Sequence, residues 1–423
     1  MVVFKMREMK DSGIEWIGKI PFDWEIVKFK SICTPKSICN TGDRELLSVY
    51  LDRGVIRYSD STNMQVHKPS ESLSKYQNVD IGDFVLNNQQ AWRGSVGVSA
   101  YRGIISPAYL IYSISEKCFP TYMNYVFRDC LMVQQYEYSS RGVGTIQRNI
   151  YPHWLKQSLV LLPPFPEQQK IATYLDSKCA EIDSLIADIQ KQVDILEQYK
   201  RSTVIKTVTK GLNPDATMKD SGIQWIGDIP EHWDVDKFKY HLVRKEPKNP
   251  GNKIVLSLYR EYGVIPKDSR DDNHNQTSED TSKYKYIKPG NFVVNKMKAW
   301  QGSVAVSDYE GIISPAYYVY DFVDDVYFKR YFHYLLRGCY KDEFMRLSGG
   351  MRVGQWDLSS DDLNNTSVII PPIEEQIEIA NFLDDKCEEI ENCIADKKKQ
   401  ISTLEDYKKS VIYEYVTGKR EVV

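Results

Sequence analysis

Met9-Lys-Asp-Ser-Gly-Ile-Glu-Trp-Ile-Gly18 decides how this chain is organised, because it returns as Met218-Lys-Asp-Ser-Gly-Ile-Gln-Trp-Ile-Gly227. Working outward, the other repeated segments are Ala91-Trp-Arg-Gly-Ser-Val96 with Ala299-Trp-Gln-Gly-Ser-Val304, Gly103-Ile-Ile-Ser-Pro-Ala-Tyr109 with Gly311 to Tyr317, and Leu162-Pro-Pro-Phe-Pro-Glu-Gln168 with Ile370-Pro-Pro-Ile-Glu-Glu-Gln376. The copies lie 208 or 209 residues apart throughout. A period this long indicates a duplicated domain and not a solenoid of short repeats.

The bulk composition is that of a globular protein with more than one domain. The chain has 423 residues, of which 42% are hydrophobic and 27% are charged. No run approaches the ~20 apolar residues that a membrane-spanning helix requires. The first eight residues lack the apolar segment of a signal peptide. We therefore expect a cytoplasmic protein that does not contact a membrane.

Each repeat has two parts. The first mixes short β-branched and aromatic runs with Gly, Pro and Asn breaks, which predicts a compact domain rich in short strands. After Pro163-Pro164 and again after Pro371-Pro372 the pattern changes to that of a long helix. We expect an α+β fold with two tandem mixed α/β domains, residues 1–166 and 212–371, separated by long helices at 167–211 and 372–423.

Both predicted helices carry a heptad pattern of apolar residues, which favours an antiparallel coiled coil with pseudo-twofold symmetry. An alternative is that each helix packs only on its own domain. Lys397 interrupts the second series. The predicted seam consists of Leu175, Ile182, Ile186, Ile189, Val193 and Leu196 in the first helix, and of Leu383, Ile390, Ile394, Ile401 and Leu404 in the second. Gly211 and Gly418 are the expected helix stops.

Charge gives modest support for a nucleic-acid partner. The whole chain has a formal net charge of −3, but residues 1–166 hold 19 Lys and Arg against 15 Asp and Glu. The last 52 residues hold 8 against 13. A basic patch in the first third is compatible with DNA binding, although it does not demand it.

Motifs for catalysis or metal binding are missing from the sequence. There is no phosphate-binding Gly-x-x-x-x-Gly-Lys-Ser/Thr, no Gly-x-Gly-x-x-Gly after a strand, no His-Glu-x-x-His and no Gly-x-Ser-x-Gly. The eight cysteines form no Cys-x-x-Cys pair, so we expect no zinc. The acidic run from Asp268 to Asp280 reads as a solvated loop. We expect a chain that is not an enzyme and binds no cofactor.

The duplicated segments together resemble the HsdS-type specificity subunits of type I restriction–modification systems. The resemblance is carried by Ile14-Glu-Trp-Ile-Gly-Lys-Ile-Pro-Phe-Asp-Trp24, by its copy at Ile223 to Trp233, and by the repeats quoted above, and it covers nearly the whole chain. It implies two target-recognition domains that each read one half of a split DNA site. It implies helices that set the gap and dock two methyltransferase subunits. S-adenosylmethionine, ATP and Mg would belong to those partners and to a motor–nuclease subunit.

Positions that differ within matching segments are candidates for base reading, whereas positions that match are candidates for scaffold or phosphate contacts. In the second repeat, Met297 stands at the position of Gln89, Gln301 at that of Arg93 and Trp356 at that of Arg148. Arg, Gln, Asn and Lys suit the base edges of the major groove. The candidate DNA-binding residues are Asn87, Gln89, Gln90, Arg93, Ser95, Arg141, Gln147 and Arg148 in the first repeat, and Asn295, Lys296, Lys298, Gln301, Ser303, Arg352 and Gln355 in the second.

The tryptophans divide into two groups. We expect Trp16, Trp24, Trp225 and Trp233 to lie in the core, and leave Trp92 and Trp300 open between core and surface. Because the two domains differ at the candidate reading positions, the expected target is asymmetric. The competing interpretation is a stand-alone bivalent DNA-binding regulator, and a second is an enzyme with divergent motifs.

Overall fold

The computed structural model describes residues 7–40, 42, 44–61, 72–143, 147–251, 253–260, 262–269, 280–350 and 356–422. The chain divides into two compact units. The first unit combines Met1–Ile189 with Lys399–Val423, and the second unit is Gln190–Lys398. Each unit therefore contains one mixed domain and a part of both long helices.

In the first unit, short strands and a few short helices precede the long helix along the chain. The strands are β1 (Met9–Asp11), β2 (Lys19–Pro21), β3 (Glu25–Lys28), β4 (Cys33–Lys36), β5 (Leu47–Tyr50), β6 (Gly54–Arg57), β7 (Gln77–Val79), β8 (Phe84–Asn87), β9 (Val96–Val98), β10 (Gly103–Ile105), β11 (Tyr109–Ile114), β12 (Ser140–Val143), β13 (Gln147–Ile150) and β14 (Leu159–Leu162). The helices are α1 (Phe29–Ile32), α2 (Pro120–Arg128), α3 (Cys130–Tyr138), α4 (Pro152–Leu155) and α5 (Phe165–Lys210), whose second half lies in the second unit.

The second unit repeats this plan. Its strands are β15 (Met218–Asp220), β16 (Asp228–Pro230), β17 (Asp234–Lys237), β18 (Leu242–Lys245), β19 (Leu256–Tyr259), β20 (Gly263–Pro266), β21 (Lys285–Ile287), β22 (Phe292–Asn295), β23 (Val304–Val306), β24 (Gly311–Ile313), β25 (Tyr317–Phe322) and β26 (Ser367–Ile370). Its helices are α6 (Phe238–His241), α7 (Lys329–Cys339), α8 (Lys341–Leu347), α9 (Ser360–Asn365) and α10 (Ile373–Val416), whose last part lies in the first unit.

A four-stranded antiparallel sheet organises each unit. Its order is β4-β11-β8-β9 in the first unit and β18-β25-β22-β23 in the second. Successive side chains of a strand point to opposite faces. Phe84 and Leu86 accordingly join the large hydrophobic cluster of the first unit, whereas Val85 joins a smaller one with Leu47 and Val49. Apolar residues therefore cover both faces of β8, which explains its continuous apolar run.

The change from strand to long helix is held by one buried glutamine in each unit. Gln168 is fully buried in the first turn of α5, where its Oε1 accepts a hydrogen bond from the Phe119 backbone N–H at 2.7 Å. Its Nε2 donates to the carbonyls of Lys117 at 3.1 Å and Pro163 at 2.9 Å. All hydrogen-bonding atoms of the amide are thereby used to join the strand end, the helix start and the segment before α2.

Gln376 makes the same three bonds in the second unit. Its Oε1 accepts from Phe328 N–H at 2.9 Å, and its Nε2 donates to Val326 and Pro371 carbonyls, both at 2.8 Å. The repeated Pro-Pro-x-x-Glu-Gln pattern thus encodes a specific junction, and not only a helix start.

A buried tryptophan ties both long helices to the domain of each unit. In the first unit Trp24 Nε1 donates to Glu167 Oε2 at 3.1 Å, and Gly418 packs against the other edge of the indole. In the second unit Trp233 Nε1 donates to Glu375 Oε2 at 3.0 Å, with Gly211 against its ring. Gly211 has a φ of 74°, which glycine adopts without strain and which ends the helix.

The tryptophan expectations are met in part. Trp24 and Trp233 are fully buried, as expected. Trp16, by contrast, is 47% exposed, so its assignment to the core was wrong. Its copy Trp225 is half-buried and packs edge-on against Tyr340.

Within each unit, α5 and α10 run antiparallel. In the second unit Lys200 pairs with Glu391 and Lys398 with Glu197, so residue numbers rise on one helix as they fall on the other. In the first unit Lys408 Nζ lies 2.6 Å from Asp183. These exposed pairs contribute little free energy each. They do show the direction and register of the helices.

The predicted seam positions range from buried to half-buried. Val193, Ile390 and Ile394 form a buried cluster with Leu196 packed against it. Lys397, which interrupts the heptads, is half-buried, and its Nζ donates to Gln192 Oε1 at 2.5 Å. The remaining predicted seam residues are Leu175, Ile182 and Leu383, which are buried, and Ile186, Ile189, Ile401 and Leu404, which are half-buried.

The fold-class prediction of an α+β chain with tandem mixed domains and two long antiparallel helices is confirmed. In the described part of the chain, no helix combines the length and the apolar character that crossing a membrane requires.

Replacing the buried glutamine should weaken the first unit selectively. In Gln168→Leu the Phe119 N–H and two carbonyls lose their partners in a buried setting, so we expect a loss of about 2–4 kcal/mol in the free energy of unfolding. Urea titration followed by fluorescence would measure it, with the exposed neighbour variant Gln169→Leu as control. Equal unfolding midpoints for the two variants would contradict the proposed role of the amide.

Candidate nucleic-acid interface

The loop after β8 places several predicted DNA-binding residues at the surface of the first unit. It contains a short 3-10 helix, Ala91–Arg93, which ends at Gly94 with a φ of 98°. Gln89 and Arg93 are exposed, and Gln90 is half-buried. Asn87 is partly committed to the loop itself, because its Oδ1 accepts the Gln89 N–H at 3.1 Å.

Trp92, on this loop, has two arginine side chains near its ring. Its indole Nε1 donates to the Gln89 carbonyl at 3.1 Å, which fixes the ring. The guanidinium carbon of Arg93 lies 4.6 Å from the ring centroid, and that of Arg148 lies 5.0 Å from it. Arg148 also pairs with Glu137 at 3.1 Å. Both guanidiniums are thus held by an aromatic face at the surface.

The β12–β13 hairpin brings Arg148 to the loop and adds a third arginine. Ile150 N–H donates to the Asn88 side chain at 2.9 Å and also to its carbonyl, which joins hairpin and loop. Arg141 is exposed, with its guanidinium carbon 4.1 Å from the Trp154 ring centroid and 6.0 Å from that of Tyr151. Cationic side chains among aromatic faces are typical of nucleic-acid contacts.

The corresponding loop of the second unit keeps the scaffold and changes the surface. Trp300 Nε1 donates to the Met297 carbonyl at 3.0 Å, as Trp92 does to Gln89. Trp356 occupies the place of Arg148, with its ring centroid 5.5 Å from that of Trp300. Lys298 is exposed and Gln301 is half-buried. This surface carries more apolar and less cationic character than that of the first unit.

Lys296 belongs to an ion pair beside this loop. Its Nζ lies 2.9 Å from Asp357 Oδ2, and hydrogen bonding to that carboxylate raises the pKa of the lysine. The Lys296 carbonyl also accepts the Leu358 N–H at 3.0 Å. Lys296 therefore connects the loop to the segment that carries Trp356.

Three predicted contact residues lie below the surface. Ser95 is 5% exposed and its hydroxyl donates to the Val49 carbonyl at 3.2 Å; Ser303 is 3% exposed. Asn295 is also buried, at the end of β22. These three side chains serve the loop scaffold, so we leave them out of the proposed contact set.

Other predictions fall where side chains are not described. Gln147 begins β13, but its side chain is outside the described part of the structure. Arg352 and Gln355 lie outside the described residues, as does most of the acidic run from Asp268 to Asp280. Among the residues that are described, no group of His, Cys, Asp and Glu side chains could hold a metal ion.

Sequence reasoning missed the residues that support the arginines. Glu137, Tyr151 and Trp154 contact Arg148 or Arg141, yet none belongs to a repeated segment. The signal that could have identified them is the concentration of aromatic and basic residues between Glu137 and Lys156.

Comparisons with known proteins agree on one family. The family model described as "Type I restriction modification DNA specificity domain" matches residues 245–403. The putative type I restriction enzyme MjaX specificity subunit of Methanocaldococcus jannaschii is 25% identical over 443 aligned positions, covering 96% of each chain. The type I restriction enzyme MjaVIII specificity subunit of the same organism is 25% identical, covering 100% of this chain and 99% of its own.

Two solved structures share the fold. A chain from a structural study of complex assembly and conformational transition of the type I R-M system has a TM-score of 0.69 at 16% identity, covering 95% of this chain and 99% of its own. The HsdS subunit from Thermoanaerobacter tengcongensis has a TM-score of 0.50 at 16% identity, covering 95% and 98%. At this identity the likeness concerns the fold alone.

The variants Arg141→Gln and Ser95→Ala should distinguish a residue that contacts DNA from one that only stabilises the loop. The slope of log binding constant against log salt is negative for a labelled DNA duplex, and loss of the exposed Arg141 charge should make it shallower by about 1. Ser95→Ala should leave that binding unchanged and lower the free energy of unfolding by about 1 kcal/mol. Salt titrations by fluorescence anisotropy, with urea unfolding alongside, measure both. An unchanged slope in Arg141→Gln would remove that residue from the interface.

Proposed function

The chain belongs to the specificity subunits of type I restriction–modification systems, and from this premise we propose how it selects its DNA. It is the DNA-recognition component of such a system and not the catalytic one. We propose that each unit reads one half of a split, asymmetric DNA site. The loop after β8 would do so in the first unit and the loop after β22 in the second. In the first unit the β12–β13 hairpin joins that loop.

The observation that carries this proposal is that the loops after β8 and β22 have the same backbone supports but different surface side chains. Both units anchor a tryptophan through its Nε1 to the carbonyl three residues earlier. Two arginines lie near this ring in the first unit, whereas Trp356 packs against it in the second. Side chains shared by both units carry no information that distinguishes half-sites, while these neighbours do. Because the two loops present different side chains, they support a target whose two half-sites differ in sequence.

The partners and cofactors follow from the same proposal. We propose that the long helices dock two adenine methyltransferase subunits and set the gap between half-sites. S-adenosylmethionine would then bind to those partners, and ATP and Mg to a motor–nuclease subunit that cuts unmodified DNA. We propose that the complex works in the cytoplasm. A stand-alone regulator would need the same DNA contacts but no methyltransferase, which gives the test below.

Methylation in cells tests the function directly. We expect that co-expression of the chain with its cognate methyltransferase yields N6-methyladenine at one split, asymmetric motif, read by single-molecule sequencing. Omitting the chain should abolish the modification. A palindromic motif would contradict asymmetric reading. Stable DNA binding without any dependence of methylation on the chain would favour the stand-alone regulator.

Shortening both helices tests their role in setting the gap. Removing residues 188–194 and 396–402 deletes two turns from each helix, or about 10 Å, and keeps the same helix faces in register. Because base pairs stack about 3.4 Å apart, the gap should shrink by about three base pairs while both half-sites persist. Inserting seven residues at the same points should lengthen it. Methylome sequencing of both variants gives the answer, and an unchanged gap would contradict the proposal.

A further inference from the structure

We propose that Trp92 is a positioning residue that holds Arg148 and Arg93 against a guanine in the half-site of the first unit. The Trp300–Trp356 pair would give the second unit an apolar contact at the equivalent place, facing an A·T pair. This inference deepens the proposed function and rests on it, since it assigns base classes to the two loops.

The first step of the argument is that the indole is part of the scaffold in both units. Ala91 and Ala299, which precede the rings, are fully buried, and Gly94 and Gly302 close both turns with φ of 98° and 87°. The Nε1 bonds to Gln89 and Met297 measure 3.1 and 3.0 Å. The ring is therefore held in the same way whichever side chain lies against it.

The second step concerns what the ring does to the arginines. A guanidinium held over an indole loses part of its conformational freedom before DNA arrives, so less is lost on binding. It can still present N–H donors at its edge. Glu137 restrains Arg148 further at 3.1 Å, while that side chain remains 29% exposed. A restrained arginine fork fits the O6 and N7 acceptors of guanine, the most frequent specific contact in the major groove.

The third step is that the second unit has other side chains where the first unit has its two arginines. Trp356 replaces Arg148, and Gln301 replaces Arg93, so this place lacks the paired guanidiniums. Aromatic carbons suit the C5-methyl group of thymine, and a glutamine amide suits the N6 and N7 atoms of adenine. The two loops therefore favour different base pairs through the same geometry.

Arg148 variants in the full methyltransferase complex test the base assignment. We expect Arg148→Gln and Arg148→Trp to relax one G·C pair of a single half-site and to slow methylation of the parent motif about 10-fold or more. The other half-site should stay unchanged. Arg102→Gln removes an exposed arginine that pairs with Asp80 and should leave the motif intact. A parent motif unchanged in Arg148→Gln, with rates within twofold, would overturn the assignment.

Trp92 variants separate positioning from a purely structural role. Trp92→Leu should relax the same base pair as Arg148→Gln, whereas Trp92→Phe, which keeps an aromatic face, should restore most of the discrimination. Thermal unfolding would establish that both variants are folded. If Trp92→Leu lowers methylation equally on all sequences, Trp92 does not position the arginines. Failure of the wild-type chain to direct methylation would instead contradict the proposed function.

Discussion

A buried side-chain amide at the first turn of each long helix is the constraint on which the rest of the fold depends. Gln168 and Gln376 each satisfy one backbone N–H and two carbonyls at the point where a strand ends and a helix of more than 40 residues begins. An unpaired buried amide or carbonyl is costly, so this arrangement leaves few alternatives for the chain direction. The Trp24 and Trp233 indoles then lock the same helix starts to the domains.

The two units keep the same scaffold although the loops that we propose to read DNA differ in sequence. The sheets keep the same order and register in both units, and the buried alanines and closing glycines of the loops after β8 and β22 are alike. The side chains near the conserved tryptophan change, from guanidinium at Arg148 to indole at Trp356 and from guanidinium at Arg93 to amide at Gln301. This division follows a general pattern, in which a packed scaffold positions loops that carry the specificity. A duplicated domain can in this way acquire two sequence preferences.

Much of the architecture could be predicted because the repeat and the heptads are properties of sequence alone. The 208-residue offset indicated two domains, and the spacing of residues such as Val193 and Ile394 indicated paired helices. The candidate interface was harder. Ser95 was chosen because it matches Ser303 and follows a glycine, but its burial depends on packing with distant segments such as β5, whose Val49 carbonyl accepts a hydrogen bond from the Ser95 hydroxyl. The stacking of Arg141 on Trp154 likewise depends on the folded hairpin: the local sequence shows basic and aromatic residues, but not which of them pair.

The composition of the two units bears on the order in which they form during synthesis. The second unit is one continuous stretch, Gln190–Lys398, whereas the first also needs Lys399–Val423. Val411, Tyr415 and Val416 lie in the core of the first unit, and Gly418 packs against Trp24. On the ribosome, the segment made first must therefore wait for the segment made last before its core closes. Its unfinished apolar surface would be a natural client for chaperones throughout translation.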